Sequence, residues 1–452
     1  MNAFFIGIGG MGMSGLAKIL ATGKHHVAGS DRNLEGDYCK RLLSMGVPIY
    51  PQDGTGPETF MHIHGLKPEE VTIVKSTAVE DAVPDVVTAR RLGMKEIMRS
   101  DLLADMFNAS RGIAIGGTSG KTTTTGLIAW LLKFAGLEPS CAVGGIISGL
   151  ETNAFTGAGP HFVIESDESD GSIVKYKPFI SLITNITRDH KSLEELNQLF
   201  KTFSDNVREG GATVLCADDP GVMSLKPLLS GRIVTYGLEK TADVHPENVV
   251  INRDHVSFSW RNVSFNLLLP GRHNLLNALG ALAVANLLGV PAEVAAAALL
   301  AFPGMKRRFE QIGTINGVTV VDDFAHNPAE IMAAIEAARK VSRRRFIVYQ
   351  PHGFGPTRFT RDDLVHVFSS LQSDEFLYLD EIFYGGGTVE KDISAKDLVA
   401  KISERFDQAQ FLGDRNRIVE DIVAKAIPGD LVLVMGARDI NIICRRILDG
   451  LH

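Results

Sequence analysis

Residues 112–132 read GIAIGGTSGKTTTTGLIAWLL: a short apolar run, a glycine-rich turn and a second, longer apolar run. The first run suits a buried strand and the second a helix packed against it. Between them stand Gly117, Thr118, Ser119, Gly120, Lys121, Thr122 and Thr123. In such a turn the backbone N–H groups surround phosphate oxygens, the lysine reaches the outer phosphates, and the next hydroxyl serves Mg²⁺. Ile115 occupies the place of the first glycine in the full phosphate-loop pattern. Gly-Lys-Thr between a strand and a helix still marks an ATP site. It also sets the fold class, because strand–turn–helix units of this kind build parallel sheets covered by helices.

The stretches C-terminal to this turn agree with nucleotide chemistry. The strand-like HFVIESDESD ends in Glu165, Asp167, Glu168 and Asp170, and ITNITRDH ends another strand in Asp189 and His190. Carboxylates at strand ends beside a phosphate loop suit Mg²⁺, which prefers hard oxygen ligands. His190 reads equally well as a structural histidine or as a metal ligand.

A second glycine turn opens the chain. In MNAFFIGIGGMGMSGLAKIL, Gly7, Gly9 and Gly12 form G-x-G-x-x-G after a strand, and Asp31 ends the next strand 19 residues after Gly12. That is the pattern of a dinucleotide fold. Taken alone it allows a nicotinamide oxidoreductase or a purely structural turn.

Apolar strand-like runs alternate with helical ones along the whole chain, and 452 residues exceed what one core supports. The chain divides into three α/β units: 1–108, Rossmann-like; 109–309, around the phosphate loop with a mostly parallel sheet; and 310–452, Rossmann-like again. The middle unit holds a β-rich patch from RIVTYGL to VSFNLLLPG and the Ala-rich helix NALGALAVANLLG, and Pro303 and Gly304 break the chain before the third. A net charge of −7 argues against nucleic acid as a partner. Four scattered cysteines fit a reducing, cytoplasmic setting, and no apolar run reaches the ~18 residues of a membrane span. The expected partners are small molecules; oligomeric state is not legible.

GTSGKTTT, ESDESD, TNITRDH, PGRHNLLNALGA, MKRRFE and DDFAHNP, in this order, resemble the Mur ligases, ATP-dependent amide ligases of peptidoglycan precursor synthesis. The resemblance covers essentially the whole chain. GIGGMGMSG, GSD, RSDLLADMF and ESDESDGSI are similar to the branch that adds L-alanine to UDP-N-acetylmuramate, while MKRRFE and DDFAH resemble the tripeptide-adding branch about equally.

The resemblance implies that the first glycine turn holds a UDP pyrophosphate. Gly7, Gly9, Gly10, Met11 and Gly12 would bind the UDP-substrate, with Ser30 and Asp31 near the uridine. It implies a reaction in which ATP phosphorylates the substrate carboxylate and an amine, L-alanine by preference, attacks the acyl phosphate. Lys121 and Mg²⁺ would neutralise the meeting anions. Thr122, Glu165 and His190 would hold metal; Asn274 and Asn277 would contact adenine; Arg308 would reach phosphate; and Asp323 would bind the ribose. His326, His352 and Arg358 would face the amino acid. The lysine that some family members carbamylate has no counterpart, since Ser204 stands there and the nearest lysine is Lys201.

Four departures stand out. Ser119 and Asn327 replace histidines common in these branches, and KSLEEL comes after the DH pair. In QPHGFGPTRF, Gly353 and Pro356 occupy positions where the alanine-adding branch carries arginines. Losing two guanidinium forks removes bidentate anion recognition. Either Arg361 makes good the loss, or the amine is not free L-alanine. A paralogue using another amine, an oxidoreductase and a nucleotide-binding regulator are the rival readings.

Overall fold

The computed structural model describes all residues except 24, 169–170, 188–191 and 385–389. Three parallel or mostly parallel sheets succeed one another along the chain. The first contains β1 (Asn2–Ile6), β2 (His26–Asp31), β3 (Ile49–Pro51), β4 (Val71–Lys75) and β5 (Lys95–Met98), in the order 3-2-1-4-5. All its pairings are parallel. The order reverses beside β1, where a doubly wound sheet opens a crevice at its strand ends. The glycine turn stands at that crevice.

The second sheet contains β6 (Arg111–Gly116), β7 (Ser140–Ile147), β8 (Thr152–Phe155), β9 (His161–Glu165), β10 (Ile180–Ile183), β11 (Ala212–Cys216) and β12 (Ile233–Tyr236). Its order is 12-11-10-6-9-7-8, parallel except for β7–β8. The phosphate loop leaves β6 at the centre, and Glu165 ends the adjacent β9. The β-rich patch supplies β12 and a separate antiparallel sheet of β13 (Glu247–Ile251), β14 (Val256–Trp260) and β15 (Val263–Leu267). The third large sheet runs 16-17-21-18-19-20, from β16 (Glu310–Ile315), β17 (Val318–Asp323), β18 (Arg345–Tyr349), β19 (Glu375–Leu379), β20 (Ala409–Phe411) and β21 (Leu431–Met435). Only β16 is antiparallel to its neighbour.

Sequence pattern does not reveal β7, β8 or β16. Each lacks clean alternation: β7 contains Gly144 and Gly145, and register shifts interrupt both the β7–β8 and β16–β17 ladders. No helix among the described residues is long and apolar enough to cross a membrane.

The first two sheets share a core. Ala3, Phe5, Leu16 and Val74 belong to the same buried cluster as Ala114, Phe162, Ile183 and Phe200. Phe107, on the helix Arg99–Asn108 that joins the two sheets, is fully buried and packs edge-on to Tyr176 at 5.4 Å. Gly112 leaves room for its ring, since a Cβ there would meet Phe107 at 2.2 Å. Phe107→Ala should therefore destabilise the protein by about 3–5 kcal/mol, measured as a lower midpoint in urea unfolding.

Candidate active site

The phosphate loop runs from Gly117 to Gly120 and leads into the helix Lys121–Phe134. Gly120 has φ +80°, and a Cβ there would approach Asn277 Oδ1 to 2.8 Å, so both backbone and space demand glycine. Asn185, just past β10, pins the loop. Its Oδ1 accepts from Thr118 Oγ1 (2.7 Å) and the Ser119 N–H (2.8 Å), and its Nδ2 donates to Ser119 O (2.9 Å). Lys121 Nζ donates to Gly117 O at 2.6 Å and to the Glu168 carboxylate at 3.0 and 3.1 Å. Burial would lower the lysine pKa, but Glu168 and Glu165 outweigh it and raise it, so the ammonium stays charged.

Beside it, Thr122 Oγ1 donates to both Glu165 oxygens at 3.0 and 3.1 Å, and the Gly144 N–H fixes Glu165 Oε2 at 2.8 Å. A hydroxyl and a carboxylate at one point are hard donors of the kind Mg²⁺ takes while keeping several waters. They fit such an ion. The Ser119 hydroxyl, buried with no hydrogen-bond partner among the described residues, likewise fits a loop built to receive phosphate oxygens. His190, Asp170 and Asp189 lie outside the described residues.

Residues 307–330 close the site from the third sheet's side. Arg308 Nη2 donates to Thr122 Oγ1 at 3.1 Å, and its guanidinium lies 5.0 Å from the Phe324 ring centre. Asp323 accepts the N–H groups of Phe309 (2.6 Å) and Ala325 (2.7 Å); burial pushes its pKa up to about 6, against the pull of Arg308. His326 Nδ1 lies 3.2 Å from Glu330 Oε2.

Two cavities meet at these groups. One, of about 500 Å³, runs from Gly10, Met11 and Gly12 past Arg99 to Lys121, Thr122, Glu165, Arg308 and His326. The other, of about 290 Å³, runs from Gly120 and Thr123 to Asn274, Asn277, Tyr236, His273 and Asp323. Asn274 and Asn277 are buried and do not cap their helix, which Gly271 precedes; Asn277 Oδ1 accepts from Thr124. Burial pushes His273 down to about 4, so the wall it lends is neutral.

The first glycine turn is held from within. The N–H of Gly7 donates to Ser30 O, that of Gly9 to Asp31 Oδ2 (2.8 Å) and that of Asn33 to Asp31 Oδ1 (2.9 Å). Asp31 thus braces the turn with Oδ2 and its own following loop with Oδ1. Ser30 is fully buried, its hydroxyl donating to Asp85 at 3.1 Å, so it does not line the crevice; the strand's alternation turns it inward. Asn153 of β8 donates to Met11 O at 2.9 Å and ties the turn to the second sheet.

On the amino-acid side two of the three expected residues come together and the third does not. The rings of His326 and His352 are 6.3 Å apart, and only His326 borders the larger cavity. Arg358 instead bonds Asp392, with Nε–Oδ1 at 2.9 Å, and Glu390 O. Arg361 is exposed at the start of the helix Arg361–Ser369 and lines neither cavity. It does not replace the missing arginines. Gly353, at φ +76°, precedes the short helix Phe354–Phe359 that contains Pro356. Asn327 caps the helix Pro328–Val341, its Oδ1 accepting the Glu330 N–H at 2.9 Å. Lys201 pairs with Asp205 on its own helix.

Asn185, Gly144, Arg99 and Glu330 join the site although sequence reasoning does not single them out. Asn185 and Arg99 stand within TNITRDH and RSDLLADMF, Glu330 lies four residues after His326, and Gly144 leaves no signal. Gly144→Ala would place a methyl 2.6 Å from Glu165 Oε2. We expect it to displace that carboxylate and weaken metal-dependent turnover by about 10–100-fold, seen in Mg²⁺ titrations of phosphate release with little change in thermal midpoint.

Three family models match the chain: the Mur ligase family catalytic domain over residues 3–111, the Mur ligase middle domain over 115–285, and the Mur ligase glutamate ligase domain over 307–438. A UDP-N-acetylmuramate–L-alanine ligase of Sorangium cellulosum is 38% identical over 97% of this chain and 94% of its own length. One from Geobacter sulfurreducens is 36% identical over 96% and 94%. The crystal structure of the UDP-N-acetylmuramate–alanine ligase of Thermotoga maritima superposes with a TM-score of 0.80 at 26% identity, covering 99% of this chain and 98% of that one. A murein peptide ligase from Psychrobacter arcticus shares the fold, with a TM-score of 0.71 at 23% identity over 100% and 98%. With its loop, its acidic strand end and its three matched segments, this chain belongs to the Mur ligase family.

Proposed function

We propose that the protein joins L-alanine to the carboxylate of UDP-N-acetylmuramate, using ATP and Mg²⁺, through an acyl phosphate. One observation carries the reading: the two cavities share Ser119, Gly120, Thr123, Arg308 and Glu330, and Lys121 lines the larger one between Gly120 and Thr123. Adenine and ribose belong in the smaller one, beside Asn274, Asn277 and Asp323. The UDP-substrate belongs in the larger one, with its pyrophosphate at Gly10–Gly12 and the helix N-terminus beyond. Its carboxylate then reaches the γ-phosphate at Lys121. The names of the curated relatives supply the acid and the amine.

The chain's own task is electrostatic. A carboxylate and a phosphate, both anionic, must approach to bonding distance, and a desolvated ammonium stabilises that approach far more than it could in water. Lys121 is held charged, and its partner Glu168 yields it to an incoming phosphate oxygen. Arg308, sharing Thr122 Oγ1, adds a second cation from the opposite wall. Mg²⁺, when bound at Thr122 and Glu165, supplies Lewis-acid polarisation of the phosphate oxygens.

A second reading within the family, a larger or peptidic amine, is favoured by the amino-acid side. There Gly353 and Pro356 offer no guanidinium, and Arg358 is engaged by Asp392.

Phosphate release with ATP, Mg²⁺ and UDP-N-acetylmuramate, measured against single amino acids and the murein tripeptide, separates the two. Stimulation by L-alanine alone supports the main reading; stimulation by the tripeptide alone replaces it with the second. Lys121→Ala should lower turnover by at least about 10²–10³-fold while UDP-substrate binding, followed by calorimetry, stays near that of the parent protein.

A further inference from the structure

An amino acid arrives at neutral pH as an ammonium, which has no lone pair to attack with. Something in the site must take its proton. The ionisable residues among the described ones that border the larger cavity are Arg99, Lys121 and Arg308, which are cationic, Glu165 and Glu168, which are engaged by Thr122 and Lys121, Asp167, whose charge acts on Lys121, and the pair His326 and Glu330. His326 is the one imidazole among them.

The loop after β17 brings His326 to the cavity wall and then enters the helix Pro328–Val341. Asn327 caps that helix, and Glu330 in its first turn folds back toward the His326 N–H at 3.3 Å. This fixed turn sets the imidazole beside the carboxylate. Nδ1 lies 3.2 Å from Glu330 Oε2 and 3.2 Å from Phe324 O. Two acceptors at one nitrogen commit its hydrogen there, leaving Nε2 as the nitrogen able to exchange a proton.

We propose that His326 is the proton acceptor for the attacking amine, and that Glu330 is its positioning residue. This rests on the acyl-phosphate reading above. The ammonium gives one proton to His326 Nε2, and the freed nitrogen pair forms the C–N bond. The C–O bond to the phosphoryl group breaks, and the second amine proton leaves with the phosphate as hydrogen phosphate. The imidazolium then returns its proton to solvent. No oxidant or further reactant is needed.

The surroundings suit the task. Burial would raise the Glu330 pKa, but His326, Arg308 and Lys121 hold it at about 2, so it remains an anion. At His326, burial disfavours the charged form and Arg308 adds to that, while Glu330 outweighs both and raises the pKa. The other ionisable groups facing the pair are Asp323, a buried carboxylate whose own pKa Glu330 helps to raise, His352, whose ring centre is 6.3 Å away, and Tyr349, whose hydroxyl donates to His326 O at 3.2 Å.

Hydroxylamine tests this directly, because it is largely unprotonated at neutral pH and needs no base to attack an acyl phosphate. His326→Asn keeps a donor for Glu330 and removes Nε2. With ATP, Mg²⁺ and UDP-N-acetylmuramate, we expect its amino-acid turnover to fall about 10²–10⁴-fold, with hydroxamate yield falling far less. Its residual turnover should climb tenfold per pH unit as free amine accumulates. Equal loss with both nucleophiles, or unchanged amino-acid turnover at neutral pH, overturns the assignment. Glu330→Gln provides a second readout: the acidic limb of the kcat/KM profile should move to lower pH, and an unmoved limb overturns the role of Glu330. Absence of hydroxamate from the parent protein overturns the acyl-phosphate reading, and the dyad with it, before any variant is compared.

Discussion

A buried ammonium needs anions, and the site is organised around that need at Lys121. Within the loop the Gly117 carbonyl accepts from Lys121 Nζ, but that group is neutral, as are the threonine hydroxyls. Glu168 supplies the neighbouring charge, with Glu165 farther along the same segment. The arrangement resembles a lock filled by its own chain, in which a phosphate oxygen takes over the contacts of a carboxylate. Because both states keep the lysine paired, neither leaves an uncompensated buried charge, which would cost several kcal/mol. The acidic strand end also faces Arg308, which bonds Thr122 Oγ1 beside Glu165.

The same logic explains why β7 and β8 matter. This hairpin carries the Gly144 N–H that fixes Glu165 and the Asn153 amide that holds Met11 O. Lys18 of the first helix bonds Thr152 of the hairpin at 2.6 Å, and Lys306 pairs with Glu151 at its tip. One short element therefore spaces the first glycine turn from the Glu165 carboxylate. A reaction between two bound anions depends on that spacing more than on the affinity of either site alone.

The fold class and the succession of three large sheets are legible in the sequence because each rests on local pattern: strand, glycine turn, helix. The roles of Glu330, Asn185 and Gly144 are not, although Asn185 stands within TNITRDH, since they depend on partners the sequence does not place beside them, apart from the His326–Glu330 spacing. Ser30 and Asp31 show the limit most plainly. They are adjacent in sequence, and the family resemblance puts both at one ligand. Strand alternation instead sends Ser30 to Asp85 in the core and leaves Asp31 to brace the turn. Arg358 departs from expectation for a different reason, because its partner Asp392 is 34 residues away and carries no motif.

The departures from the family pattern are not equivalent in physical terms. Asn327 replaces a histidine but is among the side chains best suited to cap a helix, and it does so. That cap fixes the turn in which Glu330 meets His326, so the substitution leaves the proton-accepting pair intact. Gly353 and Pro356 have no such compensation, since Arg361 is turned to solvent and Arg358 is spent on Asp392. On the proposed reading, activation of the acid and deprotonation of the amine keep their charged groups, while among the described residues neither Arg358 nor Arg361 borders the two cavities. A pocket that discriminates amines by shape alone would separate near neighbours only weakly, by about 1–3 kcal/mol per methylene.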